Sequence, residues 1–174
     1  MKKRMVQSCT ILMLGLAVTQ TIVPAQESED TPGIEGVWFA KITSIDCTSH
    51  VPIPNAVPFR GLYMFSHDGS LTSEAAFLVP GSPPRSSGLG VWRHAQGRTY
   101  TATFRFFRYN PDNPDPRDNS FQVMRKVSFT IVLNGDQFTS LDQFQEYDKD
   151  NQPLPPGGPT PTSGCATETA TRVQ

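Results

Sequence analysis

From Phe121 to Leu133 the chain alternates: Phe121, Val123, Arg125, Val127, Phe129, Ile131 and Leu133 take the odd positions, with Gln122, Lys126, Ser128 and Thr130 between them. Period two over that length predicts a strand with one face on a core. Asn134-Gly135 follows, the signature of a two-residue hairpin turn with both central residues at positive φ. That turn would pair Leu133 with Asp136, Ile131 with Phe138, Val127 with Asp142, Arg125 with Phe144 and Val123 with Glu146. A three-residue loop would set Ile131 opposite Thr139 and send the apolar set of the partner strand to the wrong face. In the expected register Arg125 lies diagonal to both Asp142 and Glu146.

The same reading extends along the chain. Gly36 to Ile45 is rich in aromatic and β-branched residues and predicts a first strand. Phe59 to Ser66 and Ser70 to Val79 are joined by His67-Asp68-Gly69, and Leu89 to His94 and Arg98 to Tyr109 by Ala95-Gln96-Gly97. The hairpin ending near Tyr147 supplies strands six and seven, and the Thr/Ala-rich segment Cys165 to Val173 an eighth. Between these pairs run proline-rich loops: Cys47 to Pro58, Pro80 to Ser87, Asn110 to Asp118 and Asp150 to Gly164. Proline has no donor for a sheet ladder, so none of the four fits a central strand.

No ten-residue segment after the first 25 residues carries a 3.6-residue apolar stripe, and the class is all-β. Long loops follow strands one, three, five and seven, and tight glycine turns follow two, four and six. Antiparallel neighbours then gather the long loops at one end and the turns at the other. Eight meandering strands suit an antiparallel up-and-down β-barrel with room for one small ligand, which also removes exposed edges. A two-sheet β-sandwich with the same strand order is the alternative. Closure would bring Cys47 and Cys165 together at the loop-rich end of the seam, and Trp38 and Arg172 together at the closed end.

The N-terminus changes the compartment. Lys2-Lys3-Arg4, an apolar run from Ile11 to Val18 and Val23-Pro24-Ala25 form the pattern of a secretory signal peptide over residues 1–25. Its apolar run is too short for a spanning anchor, so no stable membrane anchor is expected after cleavage. Residues 26–33 read as a flexible leader and 34–174 as one barrel domain. Without Lys2, Lys3 and Arg4 the balance of basic to acidic residues moves from 15 against 16 to 12 against 16, which argues against nucleic acid as a partner. Two of three cysteines, Cys47 and Cys165, enter an oxidising compartment, where an even pair predicts a disulfide.

Gly36-Val37-Trp38 opening the first strand, with Arg172 late in the last, resembles the lipocalin or calycin arrangement. The resemblance implies that the tryptophan plugs the closed end of the barrel with the arginine packed over it. Gly90-Val91-Trp92 and Tyr147-Asp148 are similar to features of small secreted bacterial lipocalin-like proteins of uncharacterised function. The chain departs from the animal lipocalins in lacking a Thr-Asp-x-x-Tyr motif and a helix after the last strand.

The expected inner faces offer Tyr100, Ala102, Phe104 and Phe106 on strand five, Phe121, Val127, Phe129 and Ile131 on strand six, and Phe138 and Phe144 on strand seven. Such side chains suit an apolar or amphipathic ligand, or else they fill the barrel. Beyond Phe106 the alternation is disturbed by Phe107 and Tyr109, as a β-bulge would do. Arg125, Asp142 and Glu146 form either a structural ion cluster, an anchor for an anionic ligand head, or an acid-base site for a cofactor-free isomerase or cyclase. Arg105 and Arg108 read as outer-face charge. His67 and His94 are assigned no metal, no cofactor is expected, and Gly-x-Ser-x-Gly, phosphate-loop and Cys-x-x-Cys motifs are absent. The expected function is binding of a small apolar or amphipathic molecule. Its rivals are a protein-interaction module using the proline loops, its partner unknown, and the cofactor-free enzyme.

Overall fold

A computed structural model describes residues 33–76, 85–109, 121–156 and 161–174. The segment expected to be a signal peptide and most of the expected leader lie outside the described residues, as do residues 77–84, 110–120 and 157–160. Among the described residues there are eight strands and no helix: β1 (Gly36–Ile45), β2 (Phe59–Phe65), β3 (Ser70–Ala76), β4 (Gly88–Gln96), β5 (Thr99–Tyr109), β6 (Phe121–Asn134), β7 (Gln137–Tyr147) and β8 (Ser163–Arg172). Each pairs antiparallel with its sequence neighbour, and β1 pairs with β8 to close the barrel. The architecture is therefore an up-and-down barrel, and the sandwich alternative falls.

The seam pairs Trp38 with Arg172 at one end and Ile45 with Cys165 at the other. Just beyond it Cys47 and Cys165 form a disulfide, with Cα atoms 5.2 Å apart. At the opposite end the Arg172 guanidinium lies 4.3 Å over the Trp38 ring, and its Nε donates to Asp136 Oδ1 at 2.8 Å. The Trp38 indole donates to the Ile34 carbonyl at 2.7 Å. Phe138, Phe65, Leu71 and Ile131 surround that indole or pack beneath it, all buried, so the closed end is a solid apolar plug.

The β6–β7 hairpin departs from its expected register by two residues. Leu133 pairs with Phe138, Phe129 with Asp142, Val127 with Phe144 and Arg125 with Glu146. The loop is Gly135-Asp136, with Asn134 and Gln137 paired as the last rung. Gly135 has φ +60° and Asp136 does not share it, the pattern of a type II′ turn with glycine first instead of Asn-Gly as a type I′ pair. The shift places Asp136 in the turn, where its carboxylate and carbonyl both receive Arg172. Because the slip is even, every side chain keeps its face.

One correction follows from irregular pairing. Arg108 pairs with Val123 but Tyr109 pairs with Phe121, which leaves Gln122 of β6 as the extra residue of a bulge. Phe121, expected inside, thereby turns outward and packs edge-on against the exposed Phe107. On the outer surface Val37, Phe39, Leu62, Met64, Leu89 and Val91 are exposed, and the rungs Val37–Met64, Phe39–Leu62, Met64–Thr72 and Thr72–Leu89 join most of them into an apolar band.

Candidate functional site

Inner-face side chains stack in layers from the plug toward the loop-rich end. Above the plug, Tyr63 from β2, Phe104 from β5 and Phe129 from β6 bring their rings together at centroid distances of 5.6 to 6.1 Å. At the same level β7 and β8 contribute polar groups. Ser140 pairs directly with Glu168 and Asp142 with Ala166, so the two carboxyl side chains are diagonal neighbours on the inner face. Tyr63 donates its hydroxyl to Glu168 Oε1 at 2.5 Å, and Ser140 donates to Asp142 Oδ1 at 2.6 Å.

Both carboxyls are out of water, Asp142 at 3% exposure and Glu168 at 4%. Burial pushes Asp142 up to about 6, held back by the Ser140 hydroxyl. Burial, and then the negative Asp142 beside it, push Glu168 well above the usual carboxylate range. Burial and the charges of Glu168 and Asp142 also raise the Tyr63 phenol. Charges in a low-dielectric interior are expensive unless compensated, and here the pair retains a proton instead. The two carboxyls also share a hydrogen bond, and apart from it the buried Glu168 Oε2 has no partner among the described residues.

This layer is the floor of a cavity of about 120 Å³. Its walls are Ile42, Phe59, Phe104, Phe106, Val127 and Phe144, with Arg125 on one side and Tyr63, Asp142 and Glu168 at the base. Phe59 begins β2, Phe106 and Phe144 fall late in β5 and β7, and Cys165 lies near the start of β8, so the cavity extends from the floor toward the loop-rich end. Larger depressions of about 420 and 510 Å³ lie against solvent-facing side chains such as Arg93, Thr101 and Thr130, or Thr139 and Thr169, and are outer-surface grooves.

Above the cavity is a layer of arginines. Glu146 Oε1 accepts from Arg125 Nη2 at 2.5 Å and Nε at 3.1 Å, and from Arg108 Nη1 at 2.5 Å. The Arg125 guanidinium also lies 4.0 Å over the Phe144 ring. Arg85 donates to the Ser73 carbonyl at 3.0 Å and rests 4.3 Å over Phe106, its own Nε buried without a partner. Burial lowers both Arg125 and Arg85 from the ordinary arginine value.

No protein-family model and no curated protein matches this chain.

Of the side chains expected to bind ligand, Phe104, Phe106, Arg125, Val127, Asp142 and Phe144 line the cavity. Phe129 backs it from below, Phe138 belongs to the plug against Trp38, and Tyr100 packs with Trp92 and His94 nearer the turns. The expected trio splits: Glu146 is opposite Arg125 and tied to it, whereas Asp142 belongs to the layer below. Arg108 points inward to Glu146, with only 14% of its side chain exposed, while Arg105 stays outside over Tyr147. Tyr63, Ser140, Glu168 and Arg85 were not singled out by sequence. For Glu168 the signal was present: an inward Arg172 on an alternating strand puts residue 168 on the same face. Among the described residues no three His, Cys, Asp or Glu side chains gather as a metal site.

Proposed function

We propose that this chain is an exported, lipocalin-like binding protein that takes a small amphipathic molecule into the barrel from its loop-rich end. The observation that carries this reading is the aromatic-walled cavity with a buried pair of carboxyl groups at its floor. Apolar walls with a few convergent polar groups are the general form of a small-molecule site. The volume restricts the occupant. Drug-sized sites start at about 300 Å³, so about 120 Å³ admits a molecule of several heavy atoms or the head of a longer one. The Cys47–Cys165 disulfide supports export, and no helix among the described residues is long and apolar enough to cross a membrane. The Trp38–Arg172 stack at the closed end supports the lipocalin likeness.

Native mass spectrometry of the secreted protein, before and after organic extraction, tests the reading. A small co-purifying mass, lost on extraction and absent from Ala166→Leu, is the expected result, since residue 166 faces the cavity. An apo mass together with no uptake of small aromatic probes would overturn it. A protein-interaction role is the second reading, favoured by the exposed apolar band on β1, β2 and β4 rather than by the proline loops. It expects a co-purifying protein that Phe39→Lys releases.

A further inference from the structure

The polar floor specifies the chemistry of the occupant more closely than the walls do, and the argument rests on the binding role just proposed. Two carboxyl groups, both at least nine-tenths buried, sit as diagonal neighbours and share a hydrogen bond, with no salt bridge to a cation among the described residues. The nearest cation on the cavity wall, Arg125, already gives Nε and Nη2 to Glu146. Among the described residues the acidic pair therefore has no dedicated counter-cation, and a second negative charge there is resisted by desolvation. An anionic ligand head would meet like charge at the floor. A cation is favoured by the pair, and the rings of Tyr63, Phe104 and Phe106 line the same cavity.

We propose that Asp142 and Glu168 are the receptor for the ammonium group of a small primary amine, with the hydrocarbon of that amine against Phe104, Phe106 and Phe144. The ammonium donates to both carboxylates and takes the place of the proton they hold in the empty barrel. Entry of one ammonium breaks the Glu168 carboxyl O–H, whose proton leaves for solvent, and forms no new covalent bond in the protein or the amine. The groups facing the pair are Tyr63 from β2, Arg125 from β6 and Ser140 on β7, with Arg85 and the Arg108–Glu146 pair farther toward the mouth. β1 and β3 contribute neutral Ile42, Ser44 and Ser73.

Isothermal titration of the disulfide-bonded protein at pH 7.5 with benzylamine, benzyl alcohol and benzoate tests this. The amine binds at least tenfold more tightly than either analogue, and its heat changes between buffers of different ionisation enthalpy as a proton is released. Glu168→Gln and Asp142→Asn each remove that preference and the proton release. Circular dichroism and a cooperative thermal transition like that of the parent show that the variants fold. Benzyl alcohol binding as tightly as the amine, or amine binding without proton release and indifferent to both substitutions, would overturn the amine proposal and leave barrel binding standing. If neither benzylamine nor benzyl alcohol binds, both readings fall.

Discussion

Asp142 is where single-residue electrostatics become measurable in the whole chain. Its carboxyl titrates at about 6 in the folded state against an ordinary 3.8, because burial disfavours the charge. Between those values the folded chain keeps a proton that the unfolded chain has lost. Stability is thus undiminished below about pH 4, declines as pH rises from there through about 6, and levels off above that value once Asp142 is ionised in both states. Glu168 acts in the same direction, its folded value being raised too. Asp142→Asn removes the penalty while preserving shape. It is expected to match the parent near pH 4 and exceed it above pH 7 by at most about 3 kcal/mol, at ~1.4 kcal/mol per pKa unit. Urea midpoints at the two pH values measure this, and equal midpoints throughout would show that Asp142 is not desolvated. Sequence made Asp142 visible because it follows Phe138 and Ser140 at period two. Arg85 was invisible, since it lies just before β4 and no alternation assigns it a face.

At the scale of strands, β4 and β5 approach through Gly90. A Cβ built there would lie 2.0 Å from the Thr103 carbonyl oxygen and 2.5 Å from the Phe104 Cα, backbone that cannot give way by a rotamer change. Gly90→Ala must therefore push β4 from β5 and shift Phe104, with an expected loss of about 2 kcal/mol, within the usual range for overpacking. A thermal melt compared with the Gly97→Ala variant, whose Cβ meets no atom within 4 Å but whose φ is +51°, separates crowding from turn strain. Alternation was sufficient to place most strands, because a barrel with one apolar face is what period two encodes. Register was less accessible. Asn134-Gly135 fits two different turns, and the choice depends on Arg172, a residue of another strand reaching Asp136. The disturbed alternation after Phe106 did signal a bulge, but its place, with Gln122 of β6 between the rungs Arg108–Val123 and Tyr109–Phe121, is set by the pairing of the two strands.

Over the whole molecule, the eight strands pair in sequence order except where β1 meets β8, and a covalent bond lies beside that pairing. A bridge with a sequence separation of 118 residues restricts the unfolded chain by roughly 4 to 5 kcal/mol in the entropy model. Cys47→Ser with Cys165→Ser should lower denaturant stability by about that amount, read from unfolding midpoints and slopes. A loss below ~1 kcal/mol would mean that the seam holds without its staple.

The position of that bond also decides how the barrel answers a mechanical load. Gly33 and Arg172 are joined at the closed end, whereas Cys47 and Cys165 lie at the far end of the same seam. Tension applied between residues 33 and 174 reaches the β1–β8 ladder at its first rung and opens it one pair at a time, like a zip. The opening runs into the disulfide after roughly 20 residues have been freed, about 70 Å of extended chain. Beyond that point the rest of the barrel carries no load, so an optical trap should record one short extension in the oxidised protein and complete unravelling only after reduction.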